Sequence, residues 1–163
     1  MGFPKNYNRN MAINLKGDAA AADDYKLIAS GILSRTNSIS ESKSSYQYMD
    51  NRGSADTDVT GQEVSAAFTG HRKIGDAAQD YILDEVLYDL DKREVEFLDY
   101  DDSIAAGSPN GWKGKARLQI TDNGSGNAAD RQSISFTLNY IGKPARGTVT
   151  KDASGKLTFA PAT

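Results

Sequence analysis

Apolar and polar side chains alternate along two stretches in the second half of the sequence, and this period of two constrains the fold more than any other feature. Successive side chains of a β-strand point to opposite faces, so residues 112–121 and 133–140 each predict a strand with one buried face. The apolar positions are Trp112, Ala116, Leu118, Ile120, Ile134, Phe136, Leu138 and Tyr140. The turn-forming segment 122–127 lies between the two stretches and predicts that they pair as a hairpin.

Weaker signals of the same kind predict further strands, and one segment predicts a helix. The strands are expected at 25–29, 63–69 and 94–98, with a closing hairpin of 147–150 and 156–159. Pro144 is expected to end the strand before that hairpin, because proline cannot donate to a sheet.

The one predicted helix spans 77–90 and is amphipathic. Asp76 suits its N-cap, and Lys92 and Arg93 suit the negative end of its dipole. Its apolar stripe consists of Ala78, Ile82, Val86 and Leu90, which recur every four residues. We expect this stripe to pack on the sheet.

Roughly six to eight antiparallel strands and one helix predict a mainly β fold, an antiparallel β-sandwich or barrel with one flanking α-helix. Residues 1–23 are expected to form an N-terminal arm that becomes ordered only against a partner. Residues 24–163 are expected to form a single domain. Within it, 17 of the 29 residues from 34 to 62 are Ser, Thr, Asn, Asp or Gly, which predicts a long polar loop.

Composition excludes several classes of function. The chain has no cysteine and one histidine, so thiolate and multi-histidine metal sites are excluded. A net charge of −3 disfavours a protein that grips nucleic acid. No apolar run is long enough to cross a bilayer or to serve as a signal peptide, so we expect no membrane anchor and a protein that stays in the cytoplasm where it is made.

Three motifs invite a chemical interpretation, and in each case a structural role is favoured. His71 lacks an evident nucleophile and carboxylate, which favours a surface or interface histidine over a general base. The acidic run 99–102 lacks the ligand spacing of a calcium loop, which favours a solvated loop. The Gly-rich segment 124–126 precedes a strand instead of a helix, which favours a hairpin turn over a phosphate loop. No catalytic residue, cofactor or metal ligand is predicted.

The stretch FTGHRKIGDAAQDYI, residues 68–82, resembles the major tail (tail tube) proteins of long-tailed bacteriophages, as does the order of arm, polar segment, strand, helix and β-rich second half. The resemblance implies a structural protein, not an enzyme, with two packed antiparallel sheets and one flanking helix. It implies hexameric rings that stack into a tube, through which DNA passes without specific binding. The implied partners are copies of the chain and the tape measure, tail terminator and distal tail proteins. The implied location is the virion tail, assembled in the bacterial cytoplasm.

Within such a ring, the exposed aromatic and charged residues are the candidates for subunit contacts. These are Tyr46, Tyr48, Asp56, Asp58, Asp84, Lys113, Lys115 and Arg117. The basic stripe 113–117 is awkward for a DNA-lined lumen unless carboxylates pair with it, and Asp84 of a neighbour is one candidate. The strands 112–121 and 131–141 are expected to continue the sheet between subunits.

A surface or virion β-sandwich that binds carbohydrate or a receptor is the alternative function. Trp112, Tyr46 and Tyr48 would supply its aromatic platform. This alternative predicts a monomer.

Overall fold

The computed structural model of the chain describes residues 2–16 and 24–163, and strands make up 57% of it. The strands are β1 (Arg9–Asn14), β2 (Tyr25–Leu27), β3 (Ile32–Gln47), β4 (Ala55–His71), β5 (Glu94–Asp101), β6 (Gly111–Ser125), β7 (Ser133–Lys151) and β8 (Leu157–Pro161). The helical segment between β4 and β5 has α geometry over α1 (Ala77–Asp80) and π geometry over Tyr81–Val86. Short 3₁₀ turns lie at Asn6–Asn8 and Leu90–Lys92.

All eight strands of the described residues belong to one antiparallel sheet. Their order is β2-β1-β5-β6-β7-β4-β3, and β8 pairs with the C-terminal part of β7. The sheet curls until strands far apart in this order face each other, since Arg9 on β1 and Arg35 on β3 both bind Asp99 on β5. The predicted mainly β, antiparallel fold with one flanking helix is confirmed, with a single curled sheet in place of two separate ones.

The core has two parts, one on each side of β1 and β5. The larger lies inside the curl, where Met11, Phe97, Phe68 and Phe136 meet the helical segment. The smaller lies on the opposite face, where Val149 and Leu157 near the end of the chain cover Ala12, Tyr25, Leu98 and Tyr100. Because both faces of β1 and β5 are buried, these two strands form the centre of the packing.

The expectation of an arm ordered only against a partner is wrong for residues 9–14. These residues form β1, which pairs with β2 on one side and β5 on the other, and its Met11, Ala12 and Ile13 are buried. A strand buried on both faces does not alternate between apolar and polar residues, so the sequence of 9–14 did not predict β1. The rest of the predicted arm that is described, 2–8 and 15–16, flanks this strand, and 17–23 lie outside the described residues.

The expectation of a loop at 34–62 is also wrong. These residues belong to a long hairpin in which β3 and β4 pair from Ile32 with Gly70 to Gln47 with Ala55. Beyond Ser65 neither strand pairs with the rest of the sheet, and every residue from 36 to 63 except Ser44 is exposed. The hairpin therefore projects roughly 30 Å from the body. With no core against either face, its strands need no apolar alternation.

Pro144 does not end its strand. β7 continues through it to Lys151, because residues 142–144 form a bulge opposite the single residue Gly114 of β6. At a bulge the missing N–H of proline costs no ladder hydrogen bond. The closing hairpin follows as predicted, with β7 and β8 paired from Gly147 with Pro161 to Lys151 with Leu157.

Two further expectations fail at the ends of elements. Leu90 is exposed, because the helical turns stop at Val86 and Leu90 begins a separate turn. Trp112 is 36% exposed and not buried, with the Arg146 guanidinium 5.1 Å from the centre of its ring. β6 and β7 lie in the interior of the sheet order, but beyond Arg117 the edge of β6 away from β7 pairs with no strand of the described residues, so a sheet continued between subunits stays a prediction.

Candidate functional site

The stretch 68–82 builds the root of the projecting hairpin, and Gln79 is its central residue. Its buried side chain donates from Nε2 to the carbonyl oxygens of Ser30 (2.6 Å) and His71 (3.3 Å), and its Oε1 accepts from the Lys73 N–H (2.7 Å). The backbone N–H of Gln79 donates to Asp76, the helix N-cap. Gln79 thus ties the start of β3, the end of β4 and the helix together.

Two glycines permit the backbones to meet at this root. A Cβ on Gly70 would overlap the carbonyl oxygen of Gly31, and a Cβ on Gly31 would lie 2.5 Å from the carbonyl oxygen of His71. Gly31 also has φ +77°, which favours glycine. The stretch 68–82, on which the family resemblance rests, therefore holds the hairpin to the rest of the sheet.

A second anchor is a buried ion cluster around Asp99. Arg35 from β3 donates to both carboxylate oxygens (2.9 and 2.8 Å), and Arg9 from β1 donates to both as well (3.3 and 2.9 Å). The side chains of Arg35 and Asp99 are only 6% and 5% exposed. Burial alone raises the pKa of Asp99, but the hydrogen bonds and charges of Arg35 and Arg9 outweigh it, so its pKa lies below the usual value.

Aromatic rings enclose this cluster. The Arg35 guanidinium lies 5.7 Å from the centre of the Phe68 ring, and Tyr140 packs on Phe97 with ring centres 4.3 Å apart. Burial, and next the negative charge of Asp99, raise the pKa of Tyr140 to about 12. The tyrosine is therefore a neutral wall of the cluster at physiological pH.

The far end of the hairpin presents aromatic and acidic side chains. Tyr46 and Tyr48 stack with ring centres 6.1 Å apart, and Met49 beside them is 98% exposed. Asp56 pairs in register with Tyr46, and Asp58 with Ser44, and both aspartates are exposed. The structure thus brings four of the predicted interface residues together at one end of the hairpin.

The basic stripe of β6 lies beside carboxylates of β5. Lys113 Nζ is 3.7 Å from Glu96, and Lys115 Nζ and Arg117 Nη2 are 3.8 and 3.7 Å from Glu94. The charge pairing that the stripe requires is therefore supplied in part by its own chain. Side chains of Lys115 and Arg117 remain 45% and 69% exposed, so they stay accessible to a neighbour.

Asp84 also has a partner within the chain. Arg72 donates to it at 2.9 Å and forms an ion pair with Asp80 at 2.8 Å, which joins the residue after β4 to the helical segment. Asp84 is 64% exposed, so this contact leaves one side of its carboxylate in solvent. Asp84 and the β6 stripe belong to separate intrachain pairs.

The three motifs with a chemical interpretation lie as follows. His71 ends β4, half-buried, and its backbone takes part in the hairpin root. In the run 99–102, Asp99 and Tyr100 are buried in β5, so a solvated loop is wrong for these two residues. Asp122 accepts hydrogen bonds from the N–H groups of Gly124 and Ser125 at the irregular end of β6, and Ser125 still pairs with Ser133 of β7. The hairpin turn predicted at 124–126 therefore lies a few residues later, between Ser125 and Ser133. In the parts of the chain described, no group of three or more His, Asp or Glu side chains could hold a metal.

Sequence reasoning missed the residues that hold the hairpin, above all Arg35, Asp99 and Gln79. Asp99 is separated from Arg9 by 90 positions and from Arg35 by 64, so no local pattern links them. The sequence does not single out Arg35 either, because the same polar segment also contains the exposed Arg52.

No helix in 2–16 or 24–163 combines the length and the apolar character needed to cross a membrane. Neither protein-family models nor curated protein sequences give a match to this chain.

Solved structures do match it. The tail of an empty gene transfer agent particle, determined with C6 symmetry, has 15% identity and a TM-score of 0.58, covering 88% of this chain and 98% of that one. The SPP1 tail tube has 16% identity and a TM-score of 0.64, covering 88% and 78%. The tube-terminating cap of the anti-feeding prophage has 13% identity and a TM-score of 0.54, covering 99% and 93%.

These similar structures are all parts of tail-like particles, and each covers most of the chain. The chain therefore has the fold of a phage tail-tube protein.

Proposed function

We propose that this chain is the building block of a bacteriophage-type tail tube, a structural protein of the virion that forms stacked hexameric rings. The observation that carries the proposal is the projecting hairpin. Its strands are exposed on both faces yet firmly mounted at the root by Gln79 and by Arg35 bound to Asp99. Ordering about thirty residues costs conformational entropy, and in a monomer these residues stay exposed, so no burial compensates for that cost. Contact with other copies would supply the missing burial.

The hexameric ring is supported by the C6 symmetry of the gene transfer agent tail, whose fold this chain shares. In the ring the candidate interface comprises two groups. The hairpin residues Tyr46, Tyr48, Asp56 and Asp58 would contact a stacked ring. Asp84, Lys113, Lys115 and Arg117 would contact a lateral neighbour, since each keeps exposed charge beside its intrachain partner.

A tube of this kind would let DNA pass without holding it. Tight contacts to many phosphates would stall the DNA, because each releases counterions and adds affinity. The chain carries a net charge of −3, and Glu94 and Glu96 lie against its basic stripe. The tape measure, tail terminator and distal tail proteins would be its further partners.

The test is electron microscopy of the purified protein after removal of 43–47 and 55–59. These ten residues pair with each other in register, so the shortened hairpin keeps its turn at 48–54 and its root. We expect the native chain to form rings or tubes and the shortened chain to stay folded, by circular dichroism, without polymerising. Long tubes from the shortened chain would contradict the role of the hairpin.

A native chain that stays monomeric at high concentration would contradict the tail-tube proposal itself. It would favour the alternative, a carbohydrate- or receptor-binding module, for which the stacked Tyr46 and Tyr48 are the supporting observation. Trp112 lies on β6 in the body of the molecule, in contact with Arg146, so it adds to that platform only if the hairpin end and the body meet.

A further inference from the structure

We infer that the hairpin tip of one copy docks into a groove beside the hairpin root of another copy. The root groove lies between the hairpin strands β3 and β4 and the part of the sheet where β6 begins and β7 bulges. Its apolar lining comes from Ile39, Val64, Trp112, Tyr140 and Pro144. The tip patch consists of Tyr46, Tyr48 and Met49. This inference rests on the proposed function and names the surface that receives the hairpin.

Apolar side chains in the root groove are exposed to solvent, where they add nothing to the stability of a monomer. Ile39 is 64% exposed on a strand otherwise rich in serine, and Trp112 shows one third of its surface. Contiguous exposed apolar side chains rimmed by polar ones are typical of protein–protein contact sites. Tyrosine, tryptophan and methionine, the residues offered by groove and tip, are the types enriched at the centres of such contacts.

Charge complements this apolar match. Arg9 and Lys143 line the root groove, and Arg146 lies over Trp112. The carboxylate of Asp99 also lines it, but Arg9 and Arg35 already bind that carboxylate. Between residues 44 and 58 the hairpin carries three acidic residues, Asp50, Asp56 and Asp58, and one basic residue, Arg52. An acidic tip therefore meets a basic groove.

The tip cannot reach the groove of its own chain. Ile39 and Tyr46 lie on the same strand, seven residues or about 23 Å apart. A contact between two different patches on identical molecules is heterologous, and such contacts generate a closed ring or, where the rotation between copies does not close, an open repeating polymer. One tip and one groove per chain thus suffice to propagate a stack of rings.

The absence of cysteine from the sequence allows a direct test by disulfide trapping. Single variants Met49→Cys and Ile39→Cys are mixed, allowed to assemble and oxidised mildly. The control mixture pairs Met49→Cys with Ile74→Cys, since Ile74 is more exposed (85%) than Ile39 but lies outside the groove. We expect several-fold more disulfide-linked dimer from the first mixture, and little from any variant alone.

Equal dimer yields in the two mixtures, with tubes visible by electron microscopy, would overturn the docking inference and leave the tail-tube proposal standing. A protein that remains monomeric in both mixtures and in the native form would overturn both. As a second measurement, Met49→Asp places a like charge in the acidic tip and should lower the assembled fraction several-fold. Val59→Asp, an equivalent change at an exposed apolar residue of β4 below the tip, should have a smaller effect.

Discussion

Arg35 on β3 donates two parallel hydrogen bonds to the carboxylate of Asp99 on β5, at 2.9 and 2.8 Å. β3 is the last strand in the sheet order and β5 the third, so this pair closes the curl of the sheet and fixes the hairpin to the body. Bidentate guanidinium–carboxylate pairs have a defined geometry as well as strength. The direction in which the hairpin projects is therefore set by a few buried atoms.

Replacing Asp99 with Ala should be strongly destabilising. Arg35 is nearly fully buried, so the variant leaves its charge without a partner, and removing one member of a buried pair costs about 3–5 kcal/mol. Urea unfolding followed by circular dichroism measures the loss. Asp101→Ala is the control, because Asp101 ends β5 and is less buried. Equal losses of unfolding free energy in the two variants would mean that the Asp99 cluster stabilises the fold no more than an ordinary surface carboxylate does.

The same pair predicts sensitivity to acid. The pKa of Asp99 is lower in the folded chain than its usual value, so its contribution to stability is present above about pH 4 and is lost as the pH falls through the folded pKa. We expect the free energy of unfolding to fall more in the native chain than in Asp99→Asn between about pH 5 and about pH 3. Parallel curves for the two proteins would contradict this assignment.

Gly70 and Gly61 lie on the same strand and give opposite predictions for substitution by alanine. A Cβ at Gly70 overlaps the backbone of Gly31, so Gly70→Ala should cost about 1–3 kcal/mol. The nearest atom to a Cβ at Gly61 is 3.7 Å away, so Gly61→Ala should be neutral or slightly stabilising. Thermal unfolding of both variants checks the pair, and a neutral Gly70→Ala would mean that the root backbones are farther apart than described.

Most of the elements predicted from the sequence have one face in the core over the predicted residues. This holds even for β5, in which Val95 and Phe97 are buried beside the half-buried Glu94 and Glu96 before both faces become buried from Leu98 onward. The strand at 63–69, the second-half strands and the stripe of Ala78, Ile82 and Val86 all show regular apolar spacing, because one side of each is buried and the other is not. The resemblance of 68–82 to tail-tube proteins added the fold, which the solved structures support.

Two kinds of strand escaped prediction for opposite reasons. β1 is buried on both faces and even hides the polar Asn14, whose Oδ1 accepts from the N–H groups of Lys16 and Asp24. The outer part of β3 is buried on neither face. In both strands the two faces lie in the same environment, either both buried or both exposed, so apolar and polar residues do not alternate along the sequence. The Asp99 cluster escaped because its members meet only through the tertiary fold.

Phe136 tests the packing inside the curl. Its side chain is fully buried and stacks on Phe68 with ring centres 5.4 Å apart. Phe136→Ala should cost about 3–5 kcal/mol, through lost transfer free energy and the cavity left behind. Phe3→Ala is the matched control, since Phe3 is 99% exposed. Denaturant unfolding gives both values, and a loss below about 1 kcal/mol for Phe136→Ala would place its ring outside the core.

The charged stripe of β6 should affect assembly more than folding. Lys115→Glu removes an exposed contact with Glu94 that is 3.8 Å long, and such pairs contribute about 0–1 kcal/mol to the stability of the monomer. If the stripe contacts a lateral neighbour, the reversed charge recurs at every subunit of a ring, so the assembled fraction should fall. The fall should be largest at low salt, because salt screens exposed charges. Lys156→Glu makes the same charge change in the exposed turn before β8 and serves as the control. Light scattering across a salt series compares the variants, and indistinguishable assembly of the two would remove Lys115 from the proposed interface.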